Sequence, residues 1–176
     1  MASGSLPVTL GVVAVMAVAV GAAVMFSGTG CEKDQDAMVQ TVTIEGRAFH
    51  LELALDNPVR FKGLSDRTSI EADGGMLFVF PRSAPLNFVM RDCTIPIDII
   101  FLDGSGRVTA THPMLPEEPQ GAAETDAAYD LRLRKYYSRF NAQFVIELAG
   151  GTLETMSLEE GEQIALDTEG LKRRAR

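Results

Sequence analysis

Residues 88–104 read FVMRDCTIPIDIIFLDG. Phe88-Val89-Met90 is an apolar run, and Ile97 to Leu102 is another, broken by Asp98. Asp103-Gly104-Ser105-Gly106 follows and carries turn chemistry. Short apolar runs bounded by turn signals read as buried strands. The stretch therefore predicts a strand, a polar corner at Arg91-Asp92-Cys93, a second strand over 97–102 and a hairpin turn. The chain then returns over Arg107 to Thr111. The corner has two readings. It joins two core strands, or it is the lip of a site.

The same short-strand pattern extends in both directions. Towards the N-terminus, Val42 and Ile44 alternate with Thr41 and Thr43. After Glu45-Gly46-Arg47, Phe49, Leu51, Leu53 and Leu55 alternate with His50, Glu52 and Ala54. Period-two patterning on both sides of a glycine-containing turn predicts a β-hairpin. Asn57-Pro58 predicts a short helix, with Asn57 as N-cap and an end by about Asp66. Met76 to Phe80 is a predicted strand, and Pro81 to Pro85 a predicted turn. Towards the C-terminus, residues 113–130 hold three prolines and five acids and predict a long mobile loop. Ala142 to Leu148 predicts a strand with Phe144, Ile146 and Leu148 on one face and Val145 and Glu147 on the other. Thr152 to Leu158 predicts a short helix, Gln163 to Asp167 a last strand, and 168–176 a solvated basic tail. No ten-residue helical pattern separates the strands, which argues against βαβ units. The fold class is α+β and mostly β: a small curled antiparallel or mixed sheet, or a partly closed barrel, with one or two short helices.

The bulk numbers limit the function. The chain has 176 residues, 46% of them apolar, enough to build a core. Its net charge is −8, which argues against nucleic-acid binding because an acidic domain repels phosphate backbones. The basic, aromatic stretch LRLRKYYSRF at 131–140 is read as an answer to the acidic loop before it.

Leu6 to Phe26 carries no charge, and the first charged residue is Glu32. A run of about 20 such residues suits a membrane span, whereas a secretory core needs about 7–15. Length favours an uncleaved anchor over 6–26, after a flank at 1–5 and before a tether at 27–38. Small residues before Cys31 offer a second reading, a lipoprotein signal with Cys31 lipidated. Simple secretion is the third. All three place the domain at or beyond a membrane, expected on the extracytoplasmic side, and the membrane is the expected partner. If Cys31 is not lipidated, a Cys31–Cys93 disulfide is open in an oxidising compartment.

Nucleotide, hydrolase and zinc motifs are absent from the sequence. His50, His112 and Cys93 share no metal-ligand spacing, and no metal or cofactor is expected. What remains is charge among apolar strands: Asp98 in Ile97–Leu102 and Glu147 in FVIELAG. A carboxylate there needs hydrogen bonds, a charge partner or a cavity mouth, because burying it bare is expensive. One reading is structural, with Asp98 capped by backbone amides at the Cys93–Pro96 corner and Arg60 and Glu147 as internal polar groups. The other is a concave polar site in which Arg67, Arg91, Asp92 and Asp98 hold a polar ligand. Asp92 and Asp98 can do acid–base chemistry only where they converge on one cleft.

Three ordered segments carry a family resemblance: Arg60 to Arg67 (RFKGLSDR), Gly75 to Phe80 (GMLFVF) and Phe88 to Asp103. Phe144 to Gly151 and Glu160-Gly161-Glu162 extend it. The chain resembles the prokaryotic domain-of-unknown-function family 192 over about residues 39–167. That family usually shows Met in place of Ser65, Trp in place of Val89, and Lys-Asn-Thr in place of Arg91-Asp92-Cys93. The resemblance implies a small β-rich domain, often behind a signal or membrane segment, and no established activity. The combined expectation is a bacterial, membrane-tethered module that binds a polar envelope ligand or a partner protein without catalysis. A hydrolase using Asp92 and Asp98 is the alternative. Arg91 with Asp98 is the expected centre of the site.

Overall fold

A computed structural model of the chain describes Met1 and residues 38–176. The apolar segment 6–26, Cys31 and all of the tether but Met38 lie outside the described residues. Among the described residues, no helix is long and apolar enough to cross a membrane.

Six strands form one open mixed sheet in the order β1-β2-β3-β6-β4-β5. The predicted hairpin is β1 (Val39–Ile44) with β2 (Arg47–Ala54), paired antiparallel. Its turn residues Glu45 and Gly46 both take positive φ, 46° and 78°, as a tight hairpin demands. Helix α1 (Asn57–Lys62) follows, then β3 (Gly74–Phe88), which runs parallel to β2. That crossover is a βαβ unit, a connection the sequence pattern does not announce because its helix has only six residues. The helix also starts on a different cap. Asp56 accepts from the Val59 N–H at 3.0 Å, and Asn57 is already helical. Gly63 ends the helix at φ 50°, three residues before the predicted end at about Asp66.

Strand β3 continues through the predicted turn at Pro81–Pro85. Its register against β6 (Tyr136–Ala149) shifts between Val79 and Ala84 and again between Pro85 and Asn87. Proline is tolerated in a strand at such irregularities, where no ladder N–H is needed. Strands β4 (Ile97–Leu102) and β5 (Val108–Met114) form the predicted hairpin at the far edge, and β4 pairs with β6.

The acidic segment is partly ordered into helix α2 (Asp126–Arg132), capped by the Thr125 side chain and anchored by buried Tyr129. The stretch predicted as a last strand makes a single bridge, Gln163 to Arg107. The basic tail forms helix α3 (Thr168–Arg174), with Asp167 as cap and Leu171 buried. Thr168, Leu171 and Ala175 lie at helical spacing, and burial of Leu171 holds the tail that its charge alone leaves in water.

The sheet buries both faces. Face one carries Ile44, Phe49, Leu51, Leu77, Ile100, Phe144, Ile146 and Leu148, and the C-terminal segment covers it with Ile164 and Leu171. Face two carries Met76, Phe78, Ile99, Phe101 and Val145, and Leu64 and Met90 cover it. Along β6 the faces divide as the alternation predicts.

Candidate functional site

Gly75 brings β3 and β6 close together. A Cβ there would stand 2.2 Å from the Glu147 carbonyl, and its φ of 150° excludes other residues as well. One rung along, Met76 pairs with Glu147, and Glu147 pairs with Ile99 on its other side. Glu147 therefore projects from the middle of the sheet on face two. It is 5% exposed.

Two loops close over that point. They are the segment after α1, Gly63 to Arg67, and the β3–β4 corner, Val89 to Pro96. Backbone and side chains tie them together. The Asp66 N–H donates to the Asp92 carbonyl at 2.8 Å, Ser65 Oγ donates to the Arg91 carbonyl at 2.8 Å, and Thr94 Oγ1 donates to the Arg67 carbonyl at 3.3 Å. Two of the three signature segments thus form one roof.

Beneath and beside the roof lies a cavity of about 410 Å³. Phe61, Phe78, Phe80 and Phe88 supply its apolar walls. Arg60, Lys62, Arg91 and Asp130 also line it, with Cys93 and Glu147. Gly63 leaves room for the Phe78 ring, which would lie 3.4 Å from an added Cβ.

The polar groups of the wall are mostly engaged. Arg60 donates to the Val79 carbonyl at 2.7 Å, to Asn57 Oδ1 at 2.7 Å and to the Arg176 carbonyl at 2.5 Å, and it stacks on Phe80. Lys62 pairs with Asp66. Arg91 pairs with Asp130, and its guanidinium lies 5.8 Å from the Phe61 ring centre and 5.0 Å from that of Tyr129. Glu147 is the exception. Its carboxyl makes no hydrogen bond or ion pair with any described residue. Burial pushes it up to about 8 from an ordinary 4.5. The Cys93 thiol is pushed up to about 11 by burial and then by the field of Glu147. It is a free, half-buried thiol and a poor nucleophile at neutral pH.

The expected site residues divide. Arg91 lines the cavity, and so do Arg60 and Glu147, which the sequence reading assigns to structure. Arg67 does not; it pairs with Glu52 at 2.7 Å. Asp92 turns the corner at φ 52°, with its N–H donating to the Tyr129 hydroxyl at 3.1 Å. Asp98 faces the opposite side of the sheet, opposite Leu148 in register. It accepts from the Leu153 N–H at 2.7 Å, and the Gly151 and Thr152 amides also act on it. Burial pushes Asp98 up and these amides pull it back. Its amides come from the turn after β6, not from the Cys93–Pro96 corner. Asp92 and Asp98 therefore do not converge on one cleft, and Arg91 and Asp98 do not share a centre. His50 lies exposed beside Thr41, and His112 packs on Phe101 and Tyr136, far from each other on β2 and β5. Among the described residues, no group of three or more His, Cys, Asp or Glu is placed to hold a metal ion.

The chain is thus a mostly β domain built on an open mixed sheet, with a cavity on one face. The chain belongs to the DUF192 family, described as an uncharacterized ACR, whose model matches residues 40–166. Two crystal structures are similar. One is a "putative transcription regulator" from Sinorhizobium meliloti 1021, with 26% identity and a TM-score of 0.56 over 72% of this chain and 90% of that one. The other is a protein of unknown function from Novosphingobium aromaticivorans DSM 12444, with 24% identity and a TM-score of 0.58 over 72% of this chain and 82% of that one. No curated protein matches the chain.

Proposed function

We propose that this domain is a non-catalytic module that binds a small, mainly apolar molecule in the cavity under α1, with one polar group of the ligand meeting Glu147. The carrying observation is the Glu147 carboxyl, which opens onto the cavity floor and has no partner among the described residues. A carboxyl largely removed from water favours a partner that can hydrogen-bond it. The cavity volume falls in the range of small-molecule sites, and its apolar walls with a few polar groups match their composition.

The uncharged run 6–26 supports a membrane tether, with the domain on the extracytoplasmic side. The net charge of −8 gives no footing for a polyanion, whatever role the Sinorhizobium relative has. Native mass spectrometry of the full chain, purified in detergent from its own host, tests the reading. An adduct on wild type that is missing from a folded Glu147→Gln variant supports it. The same adduct on both, or none on either, counts against it.

A further inference from the structure

We propose that the ligand is an organic ammonium ion, a primary or secondary amine on an apolar body, with its charged nitrogen paired to Glu147. This rests on the cavity being a ligand site and names the class of ligand. The argument is a charge count around the cavity. Three cations line it. Arg91 is paired with Asp130 and Lys62 with Asp66, while Arg60 is held by the Val79 carbonyl, the Asn57 side chain and the Arg176 carbonyl. Glu147 is the carboxyl left without a cation. The floor therefore holds one carboxyl that can pair with a cation once it ionises.

The walls agree. The faces of aromatic rings attract cations, and Phe61, Phe78, Phe80 and Phe88 all line the space. Two of these rings already stack with the guanidinium groups of Arg60 and Arg91. The carboxylate has about four acceptor sites, and an alkylammonium has two or three donors to fill them.

Binding such an ion must ionise Glu147 and release its proton. The charged and titratable groups around Glu147 are Arg60 and Lys62 from α1, Arg91 and Cys93 from the corner, and Asp130 from α2. Its sheet neighbours, Met76 and Ile99, are neutral. Asp66 and Asp92 act on Cys93 next to it. Cys93, held up to about 11, stays a thiol between pH 6 and 8, so Glu147 carries the change.

Calorimetric titration of the full chain in detergent with 2-phenylethylamine, 2-phenylethanol and phenylacetate tests this. The expected result is that the amine binds best, about tenfold tighter at pH 7 than at pH 6, with close to one proton released. Glu147→Gln loses at least tenfold in amine affinity and the pH dependence with it. The pH slope and proton release are read on wild type, so they stand even where the variant misfolds. Tighter binding of the alcohol or the acid overturns the ammonium assignment and leaves the cavity as a ligand site. So does amine binding indifferent to pH. Failure of all three probes to bind overturns both readings.

Discussion

Asp98 and Glu147 sit on neighbouring strands, one rung apart, and point to opposite faces of the same sheet. Both are buried, 2% and 5% exposed. Asp98 is saturated by the amides of Gly151, Thr152 and Leu153 and ties the turn after β6 to the sheet. Glu147 has no partner among the described residues and faces a cavity. Two carboxyls with nearly equal burial are handled in opposite ways. Burial alone therefore does not separate the two acids; their partners do.

The sharpest way to break this contrast is Glu147→Gln read against pH. In the native state the acid is held neutral up to about 8, whereas in the unfolded chain it ionises near 4.5. Between those values the folded form binds the extra proton, so its stability is full below 4.5 and is lost as pH rises through 8. The loss reaches ~5 kcal/mol as an upper bound at pH 9. The expected outcome is a wild-type melting temperature that falls from pH 5 to 9 and a Glu147→Gln profile that is flatter and higher at the alkaline end. Parallel profiles would mean that Glu147 is satisfied after all.

Asp98→Ala is the counterpart and has the opposite sign. It leaves the amides at 151–153 without their acceptor and should destabilise by ~2 kcal/mol, measured by urea unfolding at neutral pH. Gly150 makes the turn intolerant of rescue by movement, since a Cβ there would stand 2.6 Å from Pro96. A neutral Asp98→Ala would mean that the turn after β6 does not depend on Asp98.

The strands were legible and the site only in part, for a physical reason. The hairpins announce themselves locally through period-two alternation and turn residues such as Glu45-Gly46. Asp98 and Glu147 stand out in sequence because each interrupts an apolar run. Which of them is satisfied depends on atoms far along the chain: the acceptor at Asp98 meets a donor at Leu153, 55 positions away. Arg67 looks free in sequence and is paired with Glu52. Phe80 and Phe88 lie in predicted strands and line the cavity, and Phe61, largely exposed, stands at its edge, a placement that depends on how α1 sits against the sheet. Asp92 carries a signal that can be recovered. Asn and Asp tolerate the left-handed backbone better than most residues, so the family's usual Asn and the Asp here point to conformation rather than chemistry.

Arg91→Ala is expected to act less strongly. Arg91 is mostly covered, while its partner Asp130 is 55% exposed, so the pair is partly screened. Losing it together with the contacts to Phe61 and Tyr129 should cost ~1 kcal/mol and loosen α2, seen as faster amide exchange over 126–132. A loss of several kcal/mol would make the corner part of the folding core rather than the rim of a cavity.

The smallest effect is also the most selective. Cys93 feels the field of Glu147 across the cavity and reports its charge. With its thiol held up to about 11, alkylation by iodoacetamide at pH 9 should run at least tenfold slower than for an exposed cysteine, measured on the Cys93 peptide by mass spectrometry. At that pH Glu147 is mostly ionised, so Glu147→Gln should speed the reaction a few-fold by removing the repulsion. Asp98→Asn, on the other face, should leave it unchanged. Equal acceleration by both variants would mean that the thiol responds to general loosening. Acceleration by Glu147→Gln alone ties Cys93 and Glu147 to one cavity, and places Asp98 outside it.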